Sequence, residues 1–120
     1  MKQRLALAAA AAFTLAGAAH AQQPSPHAVK LYETYCVQCH GVNRDGNGIN
    51  SPAMAVKPRD HTDTKGMGDT PDDVLFKAIK GGGLAVGKSV LMPRWEDVIS
   101  DDEIKELVAY LRFVSKTASK

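Results

Sequence analysis

Two cysteines and one tryptophan are all that the 120 residues contain of those types. So few cysteines exclude a disulfide-dense scaffold. Aromatic residues make up only 6%, so the chain brings little ring surface with which to build a core. Neither charge sign dominates: 15 basic residues face 13 acidic ones, for a formal net charge of +2. That balance excludes the basic footprint of a nucleic-acid binder. No apolar run reaches the roughly 20 residues needed to cross a bilayer. No alternating strand pattern and no internal repeat are visible. What is present, 44% hydrophobic and 23% charged, is ordinary for one globular domain and argues against disorder, collagen or a coiled coil.

Residues 1–21, MKQRLALAAAAAFTLAGAAHA, stand apart from the rest. Lys2 and Arg4 make a basic start, Leu5 to Ala18 is a 14-residue apolar or small stretch, and Ala19-His20-Ala21 is an A-x-A cleavage site. This is the three-part layout of a secretory signal peptide. Its apolar stretch is too short for a membrane anchor, and no cysteine stands at the cleavage point for a lipid. The expected domains are therefore a signal peptide over 1–21 and one exported domain over 22–120, without an integral membrane segment after cleavage. The remaining 99 residues carry 13 basic and 13 acidic side chains, so the mature chain is formally neutral.

Within that domain the pattern is helical, with long interruptions. Ser25-Pro26 reads as an N-cap followed by proline at the first helical position. The spacing of Val29, Tyr32, Tyr35, Cys36 and Cys39 predicts a helix through about Cys39. Gly41 to Gly68 is rich in Gly, Asn, Asp and Pro and reads as loop with short turns. Thr70-Pro71-Asp72-Asp73 opens a second helix, with Thr70 as the expected N-cap. Val74, Leu75, Ala78 and Ile79 form its apolar face, and Gly81-Gly82-Gly83 ends it. Leu84 to Val98 is a second loop. Ser100 to Glu103 is a capping box. Ile104, Leu107, Val108, Leu111 and Val114 then continue an amphipathic pattern.

Helices and loops of this kind bury too little for 99 residues. Loops beyond about 12–15 residues are unusual in a compact domain unless they have a function. Six mature aromatics (Tyr32, Tyr35, Phe76, Trp95, Tyr110 and Phe113) make a thin core. A buried apolar cofactor would supply what is missing.

The two cysteines indicate which one. Cys36-Val37-Gln38-Cys39-His40 is C-x-x-C-H, the attachment signature of c-type haem. Thiols three positions apart on one helical face can reach the two vinyl groups of one porphyrin, and the following histidine can meet the iron from the proximal side. Other uses of the pair fit less well. A structural zinc site lacks two further ligands, since His27 and His61 belong to no paired motif. A thioredoxin-like pair lacks its βαβ setting. A plain Cys36–Cys39 disulfide is sterically possible in an exported protein.

On CVQCHG, Asp45-Gly46-Asn47-Gly48, Met92-Pro93-Arg94-Trp95 and the closing VAYLRFV, the chain resembles class I cytochrome c in its small bacterial periplasmic form. The resemblance covers nearly all of residues 25–116. It implies an all-α fold, with three to four short helices and long loops around one covalently attached haem. It implies thioether bonds at Cys36 and Cys39, His40 as proximal iron ligand and Met92 as distal ligand. The residues add their own case for Met92. A thioether must come from a loop that returns over the open face of the haem, and Pro93 keeps Met92 out of helix. Met54, Met67 and His61 are the rivals, and core packing is the commoner role of a methionine. In this family the proximal histidine donates its other N–H to a proline carbonyl in the following loop. Pro52, 12 positions after His40, matches better than Pro58. Trp95 stands either beside the haem, with its indole N–H toward a propionate, or in ordinary core. Arg59 and Arg94 could pair with propionates, and Tyr110 should pack near Tyr32 or Tyr35.

The resulting expectation is a periplasmic one-electron carrier, not an enzyme, with one haem c and its iron held by His/Met ligation. Its partners would be periplasmic redox proteins, and it would act as a monomer or as a subunit of a redox complex. The alternatives are a cytochrome subunit of a dehydrogenase or reductase complex, and a haem protein with an open sixth position for peroxidase chemistry or gas binding. In the last of these His61 would be the distal acid–base group.

Overall fold

The computed structural model describes residues 23–118, so the expected signal peptide lies outside the described residues. The described residues form five α-helices and no strand: α1 (Pro26–Tyr35), α2 (Val37–His40), α3 (Thr64–Gly68), α4 (Asp72–Gly81) and α5 (Asp101–Thr117). Single 3-10 turns occupy Ser51–Ala53 and Gly83–Val86 in the two long loops. The all-α expectation holds, with more short helical pieces than the sequence pattern announces.

α5 is the centre of the packing, with α1, α3 and α4 all resting against it. Its start follows the sequence. Ser100 Oγ accepts from the Glu103 backbone N–H and the Glu103 carboxylate accepts from the Ser100 N–H, a complete capping box. Ile104, Leu107, Val108, Leu111 and Val114 are buried along one face, as their spacing requires. They meet Ala28, Leu31 and Tyr32 of α1, Met67 of α3, and Leu75 and Ile79 of α4. Each large aliphatic side chain buried this way contributes roughly 1.5–3 kcal/mol. Tyr110 meets Tyr32 edge to face with ring centroids 5.4 Å apart, the expected contact between the last and first helices.

Three expectations about helix ends are corrected. The first helix does not run unbroken through Cys39. Cys36, at φ −111° and ψ −31°, stays right-handed but is a distorted turn that separates α1 from α2. Thr70 does not cap the fourth helix. Pro71 takes the cap position, and the Thr70 hydroxyl donates to the Gly66 carbonyl at the end of α3 instead. The long first loop contains α3, capped by the Asp63 carboxylate on the Gly66 N–H. Arg112 of α5 secures that junction. It pairs with Asp72 at 2.6 Å and donates to the carbonyls of Met67 and Thr70.

Candidate haem site

The loops are shaped around the motif helix. The Gly46 N–H donates to the His40 carbonyl at 2.9 Å, Gly48 to Cys39 at 3.0 Å, and Asn50 to Gln38 at 2.9 Å. The carbonyls left open at the end of a helix are thereby satisfied by the following loop. Gly48 is needed for this approach, since a Cβ there would stand 2.4 Å from the Gln38 carbonyl oxygen. The second loop closes from the other side. The Gly83 N–H donates to the Met92 carbonyl at 3.0 Å. Gly82, at φ +76°, sits where a Cβ would be 2.7 Å from that same oxygen.

Between α1, α2, α4, α5 and these two loops lies a cavity of about 700 Å³, within the usual size of a cofactor site. Cys36, Cys39, His40, Met92 and Trp95 all line it. Leu75 and Ile79 of α4 and Leu107 and Leu111 of α5 form part of its apolar wall. Its exposed lining residues include Val56 and Lys57 of the first loop and Lys88 and Leu91 of the second. The cavity therefore opens to solvent between the loops.

No disulfide joins Cys36 and Cys39. Burial, and secondarily its neighbour Cys39, push the Cys36 thiol up to about 12, so it stays protonated at neutral pH. His40 Nδ1 lies 2.9 Å from the Arg59 carbonyl. A carbonyl only accepts, so Nδ1 carries the proton and Nε2 keeps its lone pair. Burial lowers the basicity of His40, and the bond to Arg59 opposes that effect. Two thiols, an imidazole lone pair and a thioether around one apolar cavity form a donor set that fits a covalently bound haem.

Some expected neighbours are placed elsewhere. Pro52 is exposed and does not line the cavity, and the acceptor for His40 is the carbonyl of Arg59 rather than that of a proline. The first loop reaches the His40 ring at Arg59 and His61, well past the 3-10 turn that contains Pro52. Trp95 lines the cavity and packs on Tyr35, with ring centroids 5.2 Å apart. Arg59 also lines it, whereas Arg94 does not and instead faces Glu96 and Asp97. Met67 is fully buried in the helical core, so the methionines on the cavity are Met54 and Met92.

His61 is the residue whose place sequence reading missed. Its ring stacks on that of His40, with centroids 4.3 Å apart and planes 19° from parallel. A ring stacked beside one axial ligand cannot stand opposite it across a porphyrin. The distal acid–base role considered for His61 therefore has no support in the fold. Burial, then the charges of His40 and Arg59, hold His61 well below the ordinary histidine range, and the ring is neutral at pH 7. No sequence signal marks this contact, which joins residues 21 positions apart through an irregular loop.

Residues 26–111 match the family described as cytochrome c oxidase, cbb3-type, subunit III. Among solved structures the chain is similar to the KustC0563 c-type cytochrome, at 25% identity and a TM-score of 0.57, over 72% of this chain and 95% of that one. No curated protein matches. The motif, the cavity built around it and both comparisons agree: the chain belongs to this c-type cytochrome family and is an all-α electron-transfer protein with covalently bound haem c and its iron.

Proposed function

We propose that the protein is an exported, periplasmic one-electron carrier holding a single haem, with Cys36 and Cys39 as thioether tethers and His40 and Met92 as axial ligands. One observation carries this reading: both thiols, the imidazole and the Met92 side chain line the same apolar cavity. A single C-x-x-C-H supplies tethers for one haem, and the leader-like residues 1–21 support export.

When bound, the haem supplies a one-electron Fe(III)/Fe(II) couple. The chain's residues determine how that couple is used. Cys36 and Cys39 hold the cofactor through loops that could not retain it by packing alone. Arg59 orients His40 through its carbonyl, as ligand histidines commonly require. Gly82 and Gly83 let the Met92 backbone close over the cavity. His40 and Met92 would together hold the iron and leave no position for a substrate, so exchange with partner redox proteins would be outer-sphere. The apolar walls keep water from the site, and the opening between Val56–Lys57 and Lys88–Leu91 gives partners their approach.

The description of the matched family favours a second reading, in which the carrier is a subunit of a larger redox complex. A stable complex recovered on purification would favour it over a free monomeric shuttle.

The deciding experiment is expression with residues 1–21 in a periplasm competent for haem attachment, followed by visible spectroscopy of the denatured protein. A c-type spectrum that survives denaturation is expected, and its absence rejects the reading. In Met92→Ala the weak methionine-to-iron(III) charge-transfer band should disappear. Its persistence would reject Met92 and point to Met54, the other methionine on the cavity.

A further inference from the structure

The proposed function leaves one buried cavity residue without a role. His61 is 6% exposed and is neither a tether nor an axial ligand. Its ring lies parallel to that of His40 at 4.3 Å, and it is held from behind at two points. Its backbone N–H donates to the Arg44 carbonyl at 2.8 Å. Its Nδ1 shares a hydrogen bond with the Tyr32 hydroxyl at 3.0 Å.

Those two supports are themselves fixed. Arg44 has left-handed backbone, at φ +63°, which is uncommon for any residue but glycine. Its Nε donates to the Tyr110 hydroxyl at 2.6 Å. Its guanidinium lies over the rings of both Tyr32 and Tyr110, 5.7 and 5.8 Å from their centroids. An unfavourable backbone conformation held this firmly by its surroundings is common where function needs a fixed geometry. A continuous path of contacts thus runs from Tyr110 of α5 through Arg44 and Tyr32 to His61, and from His61 to His40.

The geometry gives this path a task. The hydrogen bond from His40 Nδ1 to Arg59 holds one edge of the imidazole, but a single such bond tolerates some tilt of the ring plane. A flat ring packed parallel to His40 removes that freedom, because turning His40 would drive its edge atoms into His61. We propose that His61 is a positioning residue that sets the plane of the His40 ring about the iron–nitrogen axis, with Tyr32 and Arg44 as its mount. The inference rests on the reading of His40 as the proximal ligand. Outer partners of a ligand histidine are known to tune a metal site in this way.

The plane of an axial imidazole governs how unpaired spin in ferric haem spreads over the porphyrin, so the haem-methyl proton resonances record it. The test compares those resonances in the ferric holoprotein for wild type, His61→Ala, His61→Phe and Tyr32→Phe. Covalent haem is first verified in the wild type, and its absence there overturns the proposed function itself. With haem present, His61→Ala should reorder or split the methyl resonances. His61→Phe, which returns a flat ring, should bring back a pattern close to wild type. Tyr32→Phe removes one oxygen and keeps its ring, and it should move the resonances in the same direction as His61→Ala but less. A purely structural role would lower the melting temperature and leave the pattern unchanged. A wild-type pattern in His61→Ala overturns the role of the stack, and a wild-type pattern in Tyr32→Phe overturns the mount. If His61→Ala does not fold, His61→Leu, which fills the space without a flat ring, takes its place and is read by the same criterion.

Discussion

The helices and the two long loops spend their hydrophobic residues in opposite ways. Among the described residues, the buried core is built from α1, α3, α4 and α5, with Ile99 its one member outside a helix. The large hydrophobics that stay exposed, Val42, Ile49, Val56, Leu84, Val90, Leu91 and Val98, all lie in the stretches between α2 and α3 and between α4 and α5. The helices are held by side-chain packing. The loops are held by their backbones, through the carbonyl contacts of Gly46, Gly48, Asn50 and Gly83, and by the cavity they enclose. A region that folds around a cofactor can leave its side chains outward, because the cofactor supplies the apolar surface that the loops do not bury among themselves.

Several substitutions can break or sharpen this contrast. The largest effect is expected at Leu107, which is 1% exposed and belongs to both the core and the cavity wall. Leu107→Ala should cost about 2–5 kcal/mol, seen as a lower urea midpoint in the holoprotein. A loss below 1 kcal/mol would mean that the helical core is not the stabilising unit. Gly48→Ala comes next. Its new Cβ would press on backbone that cannot yield, at the overpacking cost of about 1–3 kcal/mol. Covalent haem yield should fall with it, because the displaced backbone is that of Gln38 and Cys39. Normal yield and stability together would show that the loop does not depend on this close approach.

Smaller changes test the edges of the comparison. Ser100→Ala removes the cap of α5 and should cost about 1 kcal/mol. The pH dependence has a definite sign. Hydrogen bonds from the Ser100 backbone and side chain lower the Glu103 carboxyl below its ordinary 4.5. Its contribution is therefore complete above that value and is lost as pH falls through the lowered one. Thermal melts across this range should show the loss in wild type and a flatter profile in Glu103→Gln. The smallest effect is expected at Ile49, a large hydrophobic 82% exposed in the first loop. Ile49→Ala should change stability by less than about 0.5 kcal/mol, and a larger loss would place that side chain against the bound cofactor or a partner.

Much of this was legible before any coordinates. The capping box, the apolar face of α5 and the close of α4 at its glycines are set by neighbours one to four positions away, or by one face of a regular helix. The missing core implied by few aromatics and long loops corresponds to the cavity. The errors share a cause as well. The short helix α3 and the cap at Pro71 depend on contacts made elsewhere, such as Arg112 reaching the Met67 and Thr70 carbonyls from α5. Periodicity does not carry such information.

The site divides along the same line. C-x-x-C-H lies within five residues, so helical spacing alone brings two thiols and an imidazole together, and the sequence by itself was enough to imply haem and electron transfer. What surrounds the imidazole was decided by the tertiary structure. The carbonyl that accepts from His40 belongs to Arg59, 19 positions away, and not to Pro52. The ring that packs on His40 is that of His61, which the sequence offered only as a group for the opposite face. Both depend on where an irregular loop comes to rest. That is set by backbone hydrogen bonds to Arg44 and the motif helix, between residues that no repeating spacing links in the sequence.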